Sequence, residues 1–533
     1  MTTRKPIRLN AFDMNCVGHI NHGLWTHPRD RSAEYHTLAY WTDLARLLER
    51  GLFDGLFIAD IVGVYDVYGG SLDLTLRESI QLPVNDPMLL VSAMAAATRH
   101  LGFGITVNLS CEAPYLLARR FSTLDHLSGG RIGWNIVTGY LDSAARATGL
   151  TGQIAHDERY ARADEYLEVL YQLWEGSWED GAVRRDRAAR VFADPAKVHR
   201  ITHRGRFYEV DGYHLAEPSP QRTPVLFQAG SSRRGQAFAA RHAECVFISS
   251  GSREGTRQLV AALRRQAAEA GRDPGALKIF MGVTVVVGRG EAEARDKYAD
   301  YARHASPEAG LAHFAAGTGV DYAAFALDDE ITPADGSKPR GIESSLQRAT
   351  DGRRGTTVRD LLGQMTLGGR YATIVGDPVQ VADALTGWID DTDIDGFNLT
   401  RTVTPESYED FIDLVVPELQ ARGRYKRAYA DGTLREKLFG AGPTLPATHA
   451  GAGYRRAPPP IRRSAVPGGP LAQSSLSRPS RPADRSPRVP PSPPAERGPA
   501  GSLGKRRPDA RRTTGPAPPQ KRRGAPASTT AGA

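Results

Sequence analysis

The stretch 101–138, LGFGITVNLSCEAPYLLARRFSTLDHLSGGRIGWNIVT, contains the pattern that decides the fold. Its apolar run 101–109 predicts a strand, 115–127 predicts a helix that ends at a Gly-Gly pair, and 131–138 predicts a second strand. Both strands are continuous apolar runs rather than alternating ones, which is typical of parallel strands buried on both faces. The stretch therefore predicts a strand–helix–strand unit of parallel sheet.

The same alternation continues on both sides of this unit. Further strands are predicted at 7–14, 54–59, 225–229, 245–249, 278–287 and 396–399, and further helices at 35–50, 87–100, 157–174, 233–242, 253–270, 379–390 and 408–422. Eight strands with intervening helices favour an α/β fold, a TIM-like (β/α)8 barrel, over an open doubly wound sheet. No G-x-G-x-x-G follows the first strand and no Walker-A motif occurs, so neither of those nucleotide-binding loops is expected.

Two segments interrupt the alternation and predict insertions into the barrel. The first, 191–220, is expected to contain a hairpin at 207–215. The second, 306–369, has no clean period and is rich in Gly, Asp and Thr. Because a long aperiodic segment inside a compact domain is often functional, we expect the second insertion to close over a pocket.

The segment 441–533 differs in composition from the rest of the chain. It holds 17 Lys and Arg against 3 Asp and Glu, and 20 of the 36 prolines, so the net charge of +8 hides a mildly acidic domain at 1–440. Such a segment cannot bury enough apolar surface to offset its chain entropy, which predicts a disordered, basic Pro/Arg-rich tail. Its KRR clusters could contact polyanions; the alternative is a solvated tail without a specific partner. Without a zinc-finger or RNA-recognition motif, nucleic acid is not expected as a partner.

The remaining composition excludes several classes of protein. No run of 18 apolar residues occurs, so we expect no membrane-spanning helix. The first residues, MTTRKPIRLN, lack an apolar core, which predicts no secretory signal and a cytoplasmic enzyme. Cys16, Cys111 and Cys245 are scattered along the chain. Neither a disulfide framework nor a C-x-x-C pair is therefore expected.

Polar residues follow the predicted strands at their carboxyl ends, where the active face of such a barrel lies. Gly230-Ser231-Ser232 begins a helix after the fifth strand, and a small-residue turn with hydroxyls and unpaired N–H groups is a phosphate site. The alternative is an ordinary serine N-cap. Asp60, after the second strand, either binds a hydroxyl or a ring N–H of a ligand or acts as a turn residue.

Three histidines complete the candidate set. His156 and Tyr160 lie four residues apart and share one face of a helix, where they either contact a ligand or pack in the core. His19-x-x-His22 has the spacing of a metal pair, but the sequence offers no third ligand, so we expect no metal.

Eight motifs occur in a specific order between residues 7 and 440. They are HGLWTH (22–27), ERGLFDGLFIAD (49–60), FSTLDHLSGGRIGWNIVT (121–138), HDERYARADEY (156–166), LWEGSWED (173–180), HRGRFYEV (203–210), PVLFQAGSS (224–232) and GDPVQVAD (376–383). Together they resemble the flavin-dependent monooxygenases of the bacterial-luciferase superfamily, and most closely the nitrilotriacetate monooxygenase, dibenzothiophene-sulfone monooxygenase and pristinamycin synthase group. The tail lies outside the resemblance.

The resemblance implies a TIM-like barrel that holds reduced FMN at the carboxyl ends of its strands. Positions that match flavin contacts in the family are Asp60, Thr106, His156, Tyr160 and Ser231, and Asn135, Gly230 and Ser232 are expected beside them. His19 and His22 lie at the same end of the barrel. We assign them a catalytic role, orienting the substrate or the oxidant.

The resemblance also implies the reaction and the partners. A separate NAD(P)H-dependent flavin reductase supplies FMNH2, O2 is the co-substrate, and one oxygen atom enters a small organic substrate. A homo-oligomer, dimer or tetramer, is expected. Glu112, Gly139 and Tyr140 depart from the family pattern near the pocket, so no particular substrate is assigned. The alternative is an F420- or FMN-dependent oxidoreductase of the same fold without oxygenation.

Overall fold

The computed structural model describes residues 4–230, 232–249, 251–331, 356–369 and 371–456. Within these ranges, eight parallel strands close into a barrel, and a ninth parallel strand pairs with one strand of the ring without being part of it. In chain order the strands are β1 Arg8–Met14, β2 Gly55–Ala59, β3 Gly102–Asn108, β4 Ile132–Val137, β5 Val183–Asp186, β6 Val191–Ala193, β7 Ile201–Arg204, β8 Glu209–Gly212, β9 Val225–Gln228, β10 Cys245–Ile248, β11 Lys278–Val287, β12 Ala372–Gly376 and β13 Gly396–Thr400. The predicted TIM-like barrel is confirmed.

The barrel closes between the first and the last strand of the chain. β1 pairs in parallel with β2 on one side and with β13 on the other, and the ring continues through β3, β4, β9, β10 and β11 back to β13. Because every pairing in the ring is parallel, all eight carboxyl ends meet at one end of the barrel. Polar residues that follow different strands are thereby brought to one mouth.

Helices surround the strands. Their bounds are Leu38–Arg50, Asp73–Arg77, Val91–Ala97, Pro114–Ser128, Asp142–Ala147, His156–Tyr171, Arg233–His242, Arg253–Glu269, Glu291–His304, Pro307–Thr318, Val358–Gln364, Pro378–Thr392, Glu406–Asp410, Val416–Ala421 and Leu434–Phe439. The predicted helix 408–422 is divided by a π-helical turn, Phe411–Val415, and 87–100 shortens to a 3₁₀ turn followed by Val91–Ala97. None of the helices described here is long and apolar enough to cross a lipid bilayer.

An aromatic layer fills the barrel interior. Phe12, Phe57, Phe227 and Phe247 are all buried, and their rings meet edge to face, with 4.9 Å between the centroids of Phe12 and Phe247 and 5.6 Å between those of Phe57 and Phe227. Such edge-to-face pairs are a preferred aromatic geometry. The interior is therefore packed rather than hollow, and a ligand can enter only at an end.

A short C-terminal helix closes the other end of the barrel. Leu434 and Leu438 of Leu434–Phe439 belong to the same buried cluster as the aromatic layer. The backbone N–H of Leu434 donates to the carbonyl of Gly130 at 2.8 Å. The next residue, Arg435, forms a buried ion pair with Glu244 at 2.7 Å. The helix seals the amino-terminal ends of the strands and leaves the opposite mouth as the open one.

The first insertion differs from the prediction. Two antiparallel hairpins are present, β5–β6 and β7–β8, so the insertion begins before residue 191 and the predicted hairpin at 207–215 is wrong. The turn of the second hairpin is held by Glu165, whose carboxylate accepts the backbone N–H groups of Arg206 and Phe207 at 3.0 Å. Because the stabilising carboxylate comes from a helix distant in sequence, no local sequence pattern could predict the position of this turn.

The second insertion is more regular than expected. Its first part forms the helix Pro307–Thr318, with Ser306 as N-cap and Gly319 in the left-handed conformation at its end. Immediately after the predicted insertion, β12 pairs with the carboxyl half of β11, a ten-residue strand that extends beyond its pairing with β13. The middle of the segment, 332–355, lies outside the described residues.

The predicted domain boundary at residue 440 is too early. Leu445 and His449 are buried, and His449 Nε2 donates to the carbonyl of His242 at 2.9 Å. Arg455 forms an ion pair with the fully buried carboxylate of Glu175 at 2.6 Å. The packed body therefore extends to residue 456, and the remainder of the predicted tail, 457–533, lies outside the described residues.

The sealed end of the barrel predicts the effect of a truncation there. Leu434→Ala removes a side chain that is 3% exposed and contacts the barrel interior, so we expect a loss of about 2–4 kcal/mol in the free energy of unfolding. Urea denaturation followed by fluorescence measures this loss. Leu127→Ala, at a side chain that is 63% exposed, is the control and should change stability little. Equal effects of the two changes would contradict the sealing role.

Candidate active site

A cavity of about 800 Å³ opens at the carboxyl ends of the barrel strands. Part of its wall is the aromatic layer, through Phe12, Phe57 and Phe247, with Tyr371 stacked on Phe247 at a centroid distance of 5.8 Å. The predicted site residues on the wall are His19, Asp60, Thr106, Asn135, His156, Tyr160, Gly230 and Ser232. Ser231 lies outside the described residues, and His22 lies behind the wall.

Ser232 has the N-cap role, one of the two that the sequence allowed. It is the N-cap of Arg233–His242, because its hydroxyl oxygen accepts the backbone N–H of Gly235 at 3.0 Å. The same oxygen lies 3.2 Å from His156 Nε2. Nδ1 of His156 lies 2.8 Å from the carboxylate of Asp157, and a ring whose proton is on Nδ1 would donate to that carboxylate and accept the serine hydroxyl at Nε2. A serine N-cap and a cavity-lining histidine are thus linked.

Two positions at the start of this helix, Gly230 just before it and Gly235 within its first turn, leave little room for a side chain. A Cβ atom on Gly230 would lie 2.3 Å from Gln228 Nε2 and 2.5 Å from the hydroxyl oxygen of Tyr160, and one on Gly235 would lie 2.7 Å from the same hydroxyl. Tyr160 is 7% exposed, and burial raises its pKa. The Tyr160 hydroxyl is therefore held against the backbone at the start of the helix.

Two buried amide oxygens on the cavity wall have no hydrogen-bond partner among the described residues. Asn135 Nδ2 donates to Thr106 Oγ1 at 2.9 Å across neighbouring, in-register positions of β3 and β4, but Asn135 Oδ1 is unpaired. Gln228 Oε1, at the end of β9, is also unpaired. Because a buried acceptor without a donor costs free energy, both oxygens indicate a ligand that carries N–H or O–H groups.

Asp60 has an altered acidity. It follows β2 on the cavity wall, and burial raises its pKa to about 7, assisted by the negative charge of Asp86 and opposed by the backbone N–H of Ile61. Near neutral pH this carboxyl group is therefore partly protonated and can both donate and accept a hydrogen bond. A perturbed acid on a cavity wall is typical of a functional site.

The second insertion supplies a histidine that no sequence motif indicated. His313, on Pro307–Thr318, lines the cavity, and its Nδ1 lies 3.1 Å from Nε2 of His22. Burial lowers the pKa of His22 to about 3, with the charge of Arg401 acting in the same direction, so His22 is neutral. His22 thus contacts the cavity through His313 rather than directly.

Two further wall residues support His313. Tyr65 stacks on its ring at a centroid distance of 5.0 Å, and the Tyr65 hydroxyl donates to Gln81 Oε1 at 2.6 Å. Neither residue belongs to a recognisable motif, and His313 lies in the segment that we expected to be aperiodic. The Ser306-Pro307 start and the Gly319 end were the available signals for its helix.

A closed parallel barrel with donors, acceptors and a perturbed acid at the carboxyl ends of its strands defines an enzyme of the TIM-barrel class. Comparison with known proteins narrows this class. The family model for luciferase-like monooxygenases matches residues 20–393. A dimethyl-sulfide monooxygenase from Hyphomicrobium sulfonivorans is 50% identical over 455 residues, which cover 85% of this chain and 95% of that protein.

Two further proteins are similar to this chain over nearly their whole length. A long-chain alkane monooxygenase from Geobacillus thermodenitrificans is 49% identical over 454 residues, covering 85% of this chain and 98% of that protein. Among solved structures, a riboflavin lyase with modified FMN and substrate riboflavin matches with a TM-score of 0.80 at 38% identity, covering 85% of this chain and 100% of that one.

The chain therefore belongs to the luciferase-like monooxygenase family. It is a flavin-dependent monooxygenase, which confirms the expected oxygenation of a small organic substrate and favours it over the F420-dependent alternative.

The raised pKa of Asp60 predicts a pH-dependent stability. Between about pH 4 and pH 7 the folded protein retains a proton that the unfolded chain releases, so this group lowers the free energy of unfolding as pH rises through that window. Asp60→Asn removes the acid, and its melting temperature should exceed that of the wild type at pH 8 but not at pH 4.5. Differential scanning calorimetry measures both.

A surface aspartate provides the control for this comparison. Asp43, whose side chain is 58% exposed on an outer helix, is paired with Arg46. Asp43→Asn should not stabilise the protein at pH 8. If Asp60→Asn behaves in the same way at both pH values, the carboxyl group of Asp60 titrates normally and the inferred burial effect is absent.

Proposed function

We propose that this chain is the oxygenase component of a two-component system, which receives reduced FMN from a separate NAD(P)H-dependent flavin reductase and uses O2 to oxygenate a small organic substrate. One observation carries this proposal: the cavity combines unpaired buried acceptors with the serine-capped start of a helix, in a chain of this family. A flavin nucleotide offers N–H and O–H donors to the unpaired acceptors and a phosphate to the start of the helix.

The phosphate is assigned to the start of Arg233–His242. The first N–H groups of a helix have no partner within it and favour an anion. Ser232, His156 and the Tyr160 hydroxyl surround this point, and the Arg234 guanidinium lies over the Tyr160 ring, 5.5 Å from its centroid. We include Ser231 in this group on the family resemblance.

The flavin ring and ribityl chain are assigned to Asp60, Thr106, Asn135 and Gln228. Asn135 and Gln228 provide the unpaired acceptors, and Asp60 provides a carboxyl group that can donate or accept. When bound, the reduced cofactor supplies the electrons for activating O2. The aromatic wall of Phe12, Phe57 and Phe247 excludes water from this part of the cavity, which protects reactive species from loss to solvent.

The substrate is assigned to the part of the cavity near His19 and His313. Both imidazoles lie on the wall, and Ile61, Val62 and Tyr140 add apolar surface. We propose that His19 and His313 orient the substrate and exchange protons with it, and that neutral His22 positions His313. The named substrates of the relatives, dimethyl sulfide and long-chain alkanes, support a small molecule with an apolar part.

A labelling experiment tests the proposed function. The purified protein is mixed with FMN, NADH, a flavin reductase and a panel of small organic compounds under ¹⁸O2, and products are identified by mass spectrometry. We expect one ¹⁸O atom in a product that forms only when the reductase and O2 are both present. Titration with FMN, followed by its fluorescence, is the companion measurement, and absence of both flavin binding and labelled product would refute the proposal.

Ser232→Asp separates phosphate binding from helix capping. Aspartate caps a helix as well as serine does, so the fold should be retained, but its charge should repel the phosphate. We expect FMN to bind at least about tenfold more weakly, about 1.4 kcal/mol, with riboflavin binding little changed. Ser252→Asp at the start of Arg253–Glu269 is the matched control, because Ser252 is also an N-cap that accepts a glycine N–H.

Tyr160→Phe tests the hydroxyl at the helix start. Loss of one hydrogen bond should weaken FMN binding by about 1 kcal/mol, roughly fivefold, while the melting temperature stays close to that of the wild type. Fluorescence titration and scanning calorimetry measure the two quantities. A variant that loses stability but binds FMN normally would show that Tyr160 serves packing alone.

A further inference from the structure

Arg159 is a buried cation on the cavity wall whose hydrogen-bonding capacity is largely unused. It lies on His156–Tyr171, is 3% exposed and lines the cavity. A guanidinium group has five N–H donors. In the described part of the chain, Arg159 makes a single hydrogen bond, from Nη1 to the carbonyl of Gly139 at 2.6 Å, and its buried Nε has no partner.

The charge of Arg159 also has no counter-ion in the part of the chain that the structure describes. No carboxylate of the described residues forms an ion pair with it, and Asp142 acts on it only from a distance. Two other buried arginines have a carboxylate partner: Arg401 pairs with Asp13 at 2.7 Å, and Arg435 pairs with Glu244 at 2.7 Å. Buried Arg131 forms no ion pair among the described residues, but unlike Arg159 it donates to several backbone carbonyls. Burial lowers the pKa of Arg159, but a guanidinium remains charged at neutral pH.

A buried charge without a counter-ion is unfavourable unless a ligand supplies one. We propose that Arg159 is the counter-ion of an oxyanion bound in the cavity, a group with the chemistry of a phosphate, sulfonate or carboxylate. The planar guanidinium can present two parallel N–H donors to such a group. Two molecules can supply the oxyanion: the flavin nucleotide, through its phosphate, or the substrate, through an acid group. This inference rests on the proposed function.

Removal of the charge distinguishes the two sources. Arg159→Gln keeps an amide that can donate to Gly139 but removes the cation. If the oxyanion is the flavin phosphate, the variant should bind FMN at least tenfold more weakly and bind riboflavin as the wild type does, measured by fluorescence titration. Arg146→Gln is the matched control for net charge, because Arg146 lies on the neighbouring helix Asp142–Ala147 with its side chain 55% exposed.

If the oxyanion belongs to the substrate, Arg159→Gln should bind FMN as the wild type does but should no longer bind a small acid probe. Methanesulfonate is added to the flavin-free protein, with KCl at equal ionic strength as the reference. The wild type and Arg146→Gln should show a rise in melting temperature with methanesulfonate, and Arg159→Gln should not. Because this arm needs no flavin, it distinguishes failure of the inference from failure of flavin binding.

The inference is overturned if Arg159→Gln matches the wild type in both arms. It is also overturned if the wild type binds FMN no more tightly than riboflavin and shows no rise in melting temperature with methanesulfonate, a result that needs no variant. If Arg159→Gln does not fold, Arg159→Lys replaces it. This variant keeps the charge but lacks the planar pair of donors, so it should bind the oxyanion more weakly than the wild type does. The loss should appear in FMN binding if the flavin phosphate is the oxyanion, and in methanesulfonate binding alone if the substrate supplies it.

Discussion

Parallel closure of the barrel is the constraint on which the site depends. β1 pairs with β13 along five residue pairs, from Arg8 opposite Gly396 to Phe12 opposite Thr400, so the first and last strands of the fold complete one ring. Since every strand in the ring runs in the same direction, residues far apart in sequence meet at one mouth. Asp60, Asn135 and Gln228 are brought to one cavity in this way.

Packing at the opposite end makes that mouth the chemical end of the molecule. The phenylalanine layer fills the interior, and Leu434 and Leu438 close the amino-terminal ends of the strands. A ligand in the cavity therefore contacts an apolar surface that excludes water. The same burial raises the pKa of Asp60 and lowers that of His22, because a charged group loses the solvation that water would provide.

The site also depends on elements that have a second, purely structural task. Ser232 caps a helix and contacts His156, and the helix Pro307–Thr318 packs beside the barrel mouth while it carries His313 to the cavity. Changes at such positions alter folding and ligand binding together. Matched substitutions that keep one of the two tasks, such as a second good N-cap residue, are needed to separate the effects.

The sequence by itself determined the barrel, most of its strand positions and the residues that follow those strands, because continuous apolar runs and strand ends are local patterns. It did not show that His22 lies behind His313, that Glu165 holds a hairpin turn, or that the chain stays packed to residue 456. The Asn135 and Gln228 oxygens and the Arg159 charge, which have no partner among the described residues, were likewise visible only in the folded chain. Each of these features is a contact, or a missing contact, between groups that are distant in sequence, and only tertiary structure decides which groups meet.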